Sequence, residues 1–152
     1  MENEEIVTVT NIMTPLPIQV VSLNDTVEIV SKLMKQHEIG SVIVIDEENC
    51  PIGIITERDI VRRVVCEIKD PLTTKVESIM SRPLITVEHK TRIDKAITTM
   101  IQNKIRRLPI VKMGLLHGII TSTDLVKFSF QKYKDEYKIL KCLSRYQKYW
   151  EE

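Results

Sequence analysis

The segment Gly53-Ile54-Ile55-Thr56-Glu57-Arg58-Asp59-Ile60-Val61 is answered, 65 residues later, by Gly118-Ile119-Ile120-Thr121-Ser122-Thr123-Asp124-Leu125-Val126. In both, an apolar run rich in β-branched residues ends at a threonine, and a carboxylate follows three residues on. β-branched residues suit a strand. A hydroxyl followed at the third position by a carboxylate, ahead of more apolar residues, suits the first turn of a helix. Each copy therefore predicts a strand running directly into a helix.

Three further matches precede this pair in the same order. Ile39 to Asp46 matches Ile105 to Lys112, Thr26 to Met34 matches Arg92 to Met100, and Ile12 to Val20 matches Ile79 to Val87. The offset is 67 at the first segment, 66 at the next two and 65 at the last, so two single-residue loop changes account for the drift. Four ordered matches mark an internal duplication. Within each copy a short apolar run (Ile18 to Val21; Leu84 to Val87) predicts a strand. A helical stripe follows, through Val27, Val30 and Leu33 or Met34 in the first copy and Ile93, Ala96, Ile97 and Met100 in the second. Asp25 and Thr91 stand where N-caps are expected. Two β-rich runs come next, Ser41 to Ile45 with Ile52 to Ile55, and Leu108 to Val111 with Gly118 to Ile120. Ile60, Val61, Val64 and Val65 predict one apolar face for the final helix of the first copy.

The predicted fold is α/β: two β-α-β-β-α repeats packed pseudo-symmetrically, with a C-terminal helical extension. The expected boundaries are 9–66, 76–127 and 128–152. Continuous apolar strands such as Val42-Ile43-Val44-Ile45 are buried on both faces, so the copies are expected to pack against each other. All seven aromatic residues lie within 128–152, which leaves an aliphatic core for the repeats and sets the tail apart.

Composition narrows the classes of function. The chain is 43% hydrophobic and 28% charged with formal net charge +1, so no global field recruits nucleic acid or an anionic membrane. No apolar run approaches the roughly 20 residues that span a bilayer, and Met1-Glu2-Asn3-Glu4-Glu5 is acidic where a secretory signal is basic. A cytoplasmic location is expected. Cys50, Cys66 and Cys142 are odd in number and widely spaced, which argues against a disulfide framework and a zinc site. His37, His89 and His117 are scattered, and no phosphate-binding glycine loop or nucleophile elbow is present. No enzymatic activity and no metal are expected.

The Thr-x-x-Asp pairs carry two readings. Backbone N–H groups at a helix N-terminus attract a phosphate, and a carboxylate beside them can accept both hydroxyls of a ribose. The same spacing is also a plain capping box. Arg106-Arg107, ahead of Leu108-Pro109-Ile110-Val111, can clamp a phosphate or simply flank a strand edge; the first copy has Gly40-Ser41 there.

The strings Ile39 to Asp46 and Gly53 to Val61, with Ile12-Met13-Thr14-Pro15 and Ile79-Met80-Ser81, closely resemble the cystathionine-β-synthase-type (CBS) domain over residues 9 to 127. The arrangement resembles a tandem pair, or Bateman module. That resemblance implies adenosine-type ligands (AMP, ADP, ATP or S-adenosylmethionine) in clefts between the repeats. It implies that Thr56 and Thr121 meet ribose or phosphate, that Asp59 and Asp124 hold the ribose hydroxyls, and that Ile18 and Ile85 wall the base. Arg58 falls within the same motif, and Arg106 and Arg107 resemble a phosphate-facing basic pair. A homodimer and an effector protein in trans are implied as well. Two departures fall in the first copy: Gln19 where the second has Thr86, and Ile43 where the second has Pro109.

In the tail, Phe130, Tyr133, Tyr137 and Leu140 recur at helical spacing, and residues 127–152 carry seven Lys/Arg against four Asp/Glu. Packing on the module or a second copy is expected. Binding of nucleic acid through this basic aromatic segment, and a ligand-free dimerisation scaffold, are the alternatives.

Overall fold

The computed structural model describes residues 6–132. A 3₁₀ turn at Val9–Asn11 leads into β1 (Thr14–Pro15) and β2 (Val20–Ser22). The rest of the first repeat is α1 (Val27–His37), β3 (Ser41–Ile45), β4 (Pro51–Thr56) and α2 (Glu57–Ile60), which continues as a π-helical turn over Val61–Val65. The second repeat is α3 (Val76–Ile79), β5 (Val87–Glu88), α4 (Ile93–Asn103), β6 (Arg107–Lys112), β7 (Leu115–Thr121) and α5 (Ser122–Lys132). The structure is mixed α/β, as the sequence predicts, and α5 carries the chain into the C-terminal extension; residues 133–152 lie outside the described part.

The strands form two sheets, ordered β2-β3-β4 and β1-β7-β6-β5. In each repeat a parallel pair (β2 with β3, β5 with β6) adjoins an antiparallel hairpin. α1 buries Val27, Val30 and Met34, and α4 buries Ala96 and Met100, spacings that put one stripe against the sheet. Both helices end on a left-handed residue, Glu38 and Lys104. Val42, Ile43 and Val44 are all buried, as a continuous apolar strand requires.

The opening arms are exchanged. Thr14 and Pro15, from the chain's beginning, pair with Ile119 and Gly118 of the second repeat. Ser81 bridges to Ile54 of the first. Val9 belongs to the core of Ala96, Met100, Leu108, Ile110 and Ile120, whereas Val76, Ile79 and Met80 belong to that of Val21, Val27, Val30, Val42 and Val44. Each arm crosses a glycine at close range. A Cβ on Gly118 would stand 2.5 Å from Met13 Sδ and 2.8 Å from the Thr14 carbonyl; one on Gly53 would stand 2.8 Å from Met80 Sδ and 3.2 Å from the Ser81 carbonyl. Both positions need glycine for that approach.

The exchange also corrects the helix starts. The N-caps are Thr26 and Arg92, and neither side chain makes a capping hydrogen bond. The arms supply the acceptors. Val27 N–H donates to the Thr74 carbonyl at 3.0 Å, and Ile93 N–H to the Val7 carbonyl at 3.3 Å. Asp25 accepts instead from the Ser22 N–H at 2.8 Å, and its own carbonyl accepts from Val76.

Strands β2 and β5 begin later than their apolar runs suggest, because the residues before them form the crossovers between sheets. Ladder registers then revise the alignment. Val21 pairs with Val44 and Val87 with Ile110, which are matched positions, so Val21 corresponds to Val87. Thr14 corresponds to Ser81, since they face Ile119 and Ile54. The first crossover therefore has one extra residue. Thr86 corresponds to Val20, Ile85 to Gln19, and Ile18 to Leu84.

The final helix of the first repeat departs from expectation too. Val64 is buried and Ile60 partly so, but Val61 and Val65 are exposed, Val65 at 65%. One turn of α-helix followed by a π turn does not present the regular stripe that 3.6-residue spacing predicts.

Candidate functional site

Both Thr-x-x-Asp pairs form capping boxes. Asp59 Oδ2 accepts from the Thr56 N–H at 2.9 Å and from the Thr56 hydroxyl at 3.0 Å, while the Asp59 N–H donates to Thr56 Oγ1 at 3.3 Å. The corresponding distances at Thr121 and Asp124 are 2.8, 2.8 and 3.2 Å. The two readings of the motif are compatible, because the cap engages only one carboxylate oxygen. Each aspartate is thereby held in a fixed rotamer at a strand-to-helix junction, with its other oxygen directed elsewhere.

The surroundings of that second oxygen differ. Asp59 Oδ1 accepts from the Ser81 hydroxyl at 3.2 Å and lies 3.6 Å from Arg63 Nη1. Asp59 is the buried charged residue among those described, 8% exposed. Asp124 is half-buried, and among the described residues only Thr121 donates to it.

The exchanged arms decide which segments meet which carboxylate. Ser81, from the second repeat's opening, reaches Asp59 of the first. By the same pairing Thr14 belongs with β7, the strand that leads into the first turn of α5 where Asp124 lies. Ile85 thus follows the arm at Asp59 and Ile18 the arm at Asp124. Both are half-buried, but the register makes them non-equivalent: Ile85 packs on the second core, and its counterpart is Gln19.

Arg107 is half-buried at the start of β6 and crosses to the first repeat. Its guanidinium occupies the space a side chain on Gly40 would take, beside Glu57. Burial draws Arg107 below the usual arginine range, Glu57 opposes that shift, and the charge of Arg106 adds to it. An arginine remains cationic throughout the physiological range, so the result is a fixed positive charge between the repeats. Arg58 is exposed on α2. Arg106 is exposed and borders a groove of about 520 Å³ along α4 and α5, lined by Ile97, Met100, Ile101, Leu125 and Val126. Neither Thr-x-x-Asp pair lines that groove.

Two histidines that are scattered in sequence meet in space. His89 N–H donates to the Val111 carbonyl at 3.0 Å, and His117 sits in the β-bulge opposite Val111. Their rings are 5.7 Å apart, edge to face. His89 Nδ1 is buried without a hydrogen-bond partner among the described residues, with Glu88 Oε2 at 3.8 Å. Only the ladder registers of β5, β6 and β7 carried the signal that joins them. Among the described residues no three His, Cys, Asp or Glu side chains are grouped to hold a metal. No helix there is long and apolar enough to cross a membrane.

The profile of the CBS domain matches residues 9–66 and 76–130. The chain belongs to the CBS domain family. It is a CBS-domain pair, a type of module that is generally regulatory and ligand-binding. An uncharacterized protein of Methanopyrus kandleri is 47% identical over 102 residues, which cover 66% of this chain and 52% of that protein. The mitochondrial CBS domain-containing protein CBSX3 of Arabidopsis thaliana is 33% identical over 74% of this chain and 57% of its own length. The matched part thus spans little more than half of these curated relatives. Among solved structures, the hexameric CBS-CP12 protein from bloom-forming cyanobacteria superposes with a TM-score of 0.76 at 30% identity, covering 94% of this chain and 88% of that one.

Proposed function

We propose that this CBS pair is a non-catalytic sensor that binds an adenosine-type ligand (AMP, ADP, ATP or S-adenosylmethionine) in clefts between its repeats. The observation that carries the reading is Asp124: Thr121 fixes its carboxylate through Oδ2, and no other described residue donates to it, while an arm from the other repeat pairs with the strand that leads into its helix. A carboxylate so held can accept a ribose hydroxyl without paying for its own ordering. The cation of Arg107, bridging the repeats, supplies a partner for phosphate.

A ligand lodged between exchanged arms acts on the contact between repeats, and it biases a partner to the extent that it binds two arrangements unequally. The output passes to an effector in trans, and the module self-associates as a homodimer. The apolar groove on α4 and α5, with Ile101 71% exposed, supports self-association. The cyanobacterial relative is described as hexameric. Free thiols at Cys50 and Cys66 suit the reducing cytoplasm.

The test is thermal unfolding with each of the four ligands, on the natural chain and on Asp124→Ala. Ligand at one hundred times its Kd adds about 2.7 kcal/mol of stability. A rise in Tm with one of them, lost in the variant, is the expected result. The satisfied caps favour a second reading, a scaffold in which Thr-x-x-Asp serves the helix alone. An unchanged Tm with all four ligands selects it.

A further inference from the structure

We infer that the two clefts are unequal: the chain's own Arg63 and Ser81 close the one at Asp59, so the module takes one adenosine-type ligand per chain, at Asp124. The inference rests on the adenosine reading above and sharpens it.

A carboxylate offers about four acceptor positions. At Asp59 three of them face the Thr56 N–H, the Thr56 hydroxyl and the Ser81 hydroxyl, and the Arg63 guanidinium stands 3.6 Å from Oδ1 as an ion pair over the remaining side. The guanidinium is itself tied down, since Nη1 donates to the carbonyls of Ile79 at 2.7 Å and Met80 at 3.1 Å, at the end of α3. A cation at a helix C-terminus is well placed, so Arg63 joins that helix end to the carboxylate of the opposite repeat. A ribose entering here must displace a hydroxyl and a charge together.

At Asp124 the corresponding groups are missing or, among the described residues, do not bond the carboxylate. The position matching Arg63 is Phe128, which has no donor. The position matching Ser81 is Thr14, which is exposed and makes no side-chain hydrogen bond among the described residues. The arm on this side is also one residue longer between the sheet and the crossover strand. Among the described residues, two of the four acceptor positions are left for a vicinal diol.

The experiment is calorimetric titration of the full chain with AMP, ADP, ATP and S-adenosylmethionine in turn. One equivalent per chain is expected for the ligand that binds, and at least a tenfold loss of affinity in Asp124→Asn, a substitution that retains a capping acceptor. In Arg63→Ala/Ser81→Ala the stoichiometry rises to two. Adding Asp124→Asn to that variant returns it to one. Two equivalents in the natural chain overturn the inference while leaving the adenosine reading intact. One equivalent in Arg63→Ala/Ser81→Ala, with its cooperative unfolding preserved, overturns the closing role of Arg63 and Ser81. No binding of any of the four, by any variant, overturns both.

Discussion

The Asp59 and Asp124 ends of the molecule share a capping geometry to within about 0.2 Å and differ in almost everything around it. At Asp59 the second oxygen is buried against a serine and an arginine. At Asp124 it is not engaged by any other described residue. Duplication supplies the same strand-turn-helix twice, because the local rules that build it lie within seven residues. What each copy does then depends on positions a turn further on, Arg63 against Phe128, and on which arm crosses it. A motif preset by its own backbone can stay identical while the surroundings of its second carboxylate oxygen diverge.

The arms offer the largest test of that comparison. At Gly118 an added methyl meets Met13 Sδ at 2.5 Å and a carbonyl at 2.8 Å, whereas at Gly53 the sulfur is at 2.8 Å and the carbonyl at 3.2 Å. A side-chain end can swing aside but a backbone carbonyl cannot. Gly118→Ala is expected to lose about 2–3 kcal/mol in urea unfolding and Gly53→Ala about 1–2 kcal/mol, within the usual range for overpacking. Equal losses would mean that the two arms grip their sheets alike.

Smaller, and aimed at the carboxylates, is the contrast between Asp59→Ala and Asp124→Ala. Losing a cap costs about 1 kcal/mol. Asp59→Ala also leaves the Ser81 hydroxyl without its acceptor and removes a solvent-screened contact with Arg63, so its loss is expected to be about 2 kcal/mol, against about 1 kcal/mol for Asp124→Ala. The order of the two values in denaturant titrations is the informative quantity. A larger loss at Asp124 would show that the Asp59 network contributes little beyond its cap.

Local and periodic features were legible in the sequence: the duplication, the order of elements, the stripe of Val27 and Val30 with Leu33 or Met34 (the structure buries Met34), and the strand-to-helix junctions at Thr56 and Thr121. Each is decided by residues within a turn or two of one another. Hidden were the features that need two distant segments. Val9 and Met13 adjoin the first repeat in sequence but complete the second, and nothing local distinguishes the two destinations. The caps at Asp25 and Thr91 were misplaced for the same reason, because backbone carbonyls of Thr74 and Val7 satisfy the helix starts and carry no side-chain signature. The one-residue difference between crossovers appears only in the ladder registers, and with it the equation of Gln19 with Thr86 dissolves. Arg63 reads as one more charge on a helix until Ile79, Met80 and Asp59 are brought beside it.

The weakest expected effect sharpens the comparison at the other helix starts, those of α1 and α4. Both take their backbone acceptors from exchanged arms, but α4 adds a local pair in which Arg92 Nε donates to Asp94 Oδ1 at 3.1 Å. That hydrogen bond holds the Asp94 carboxyl below its ordinary value; slight burial opposes it, and the Lys95 N–H assists. A depressed carboxylate adds stability above its unfolded pKa, about 3.9, and loses that contribution as the pH falls through the lower folded value. The side chains are exposed, so solvent screens the pair. In Arg92→Ala the Asp94 titration followed by NMR is expected to move upward toward the ordinary aspartate midpoint, while Tm at neutral pH barely changes. A marked fall in Tm would mean that the Arg92 side chain supports the start of α4 by its packing, and the two helix starts would then differ in packing and not merely in charge.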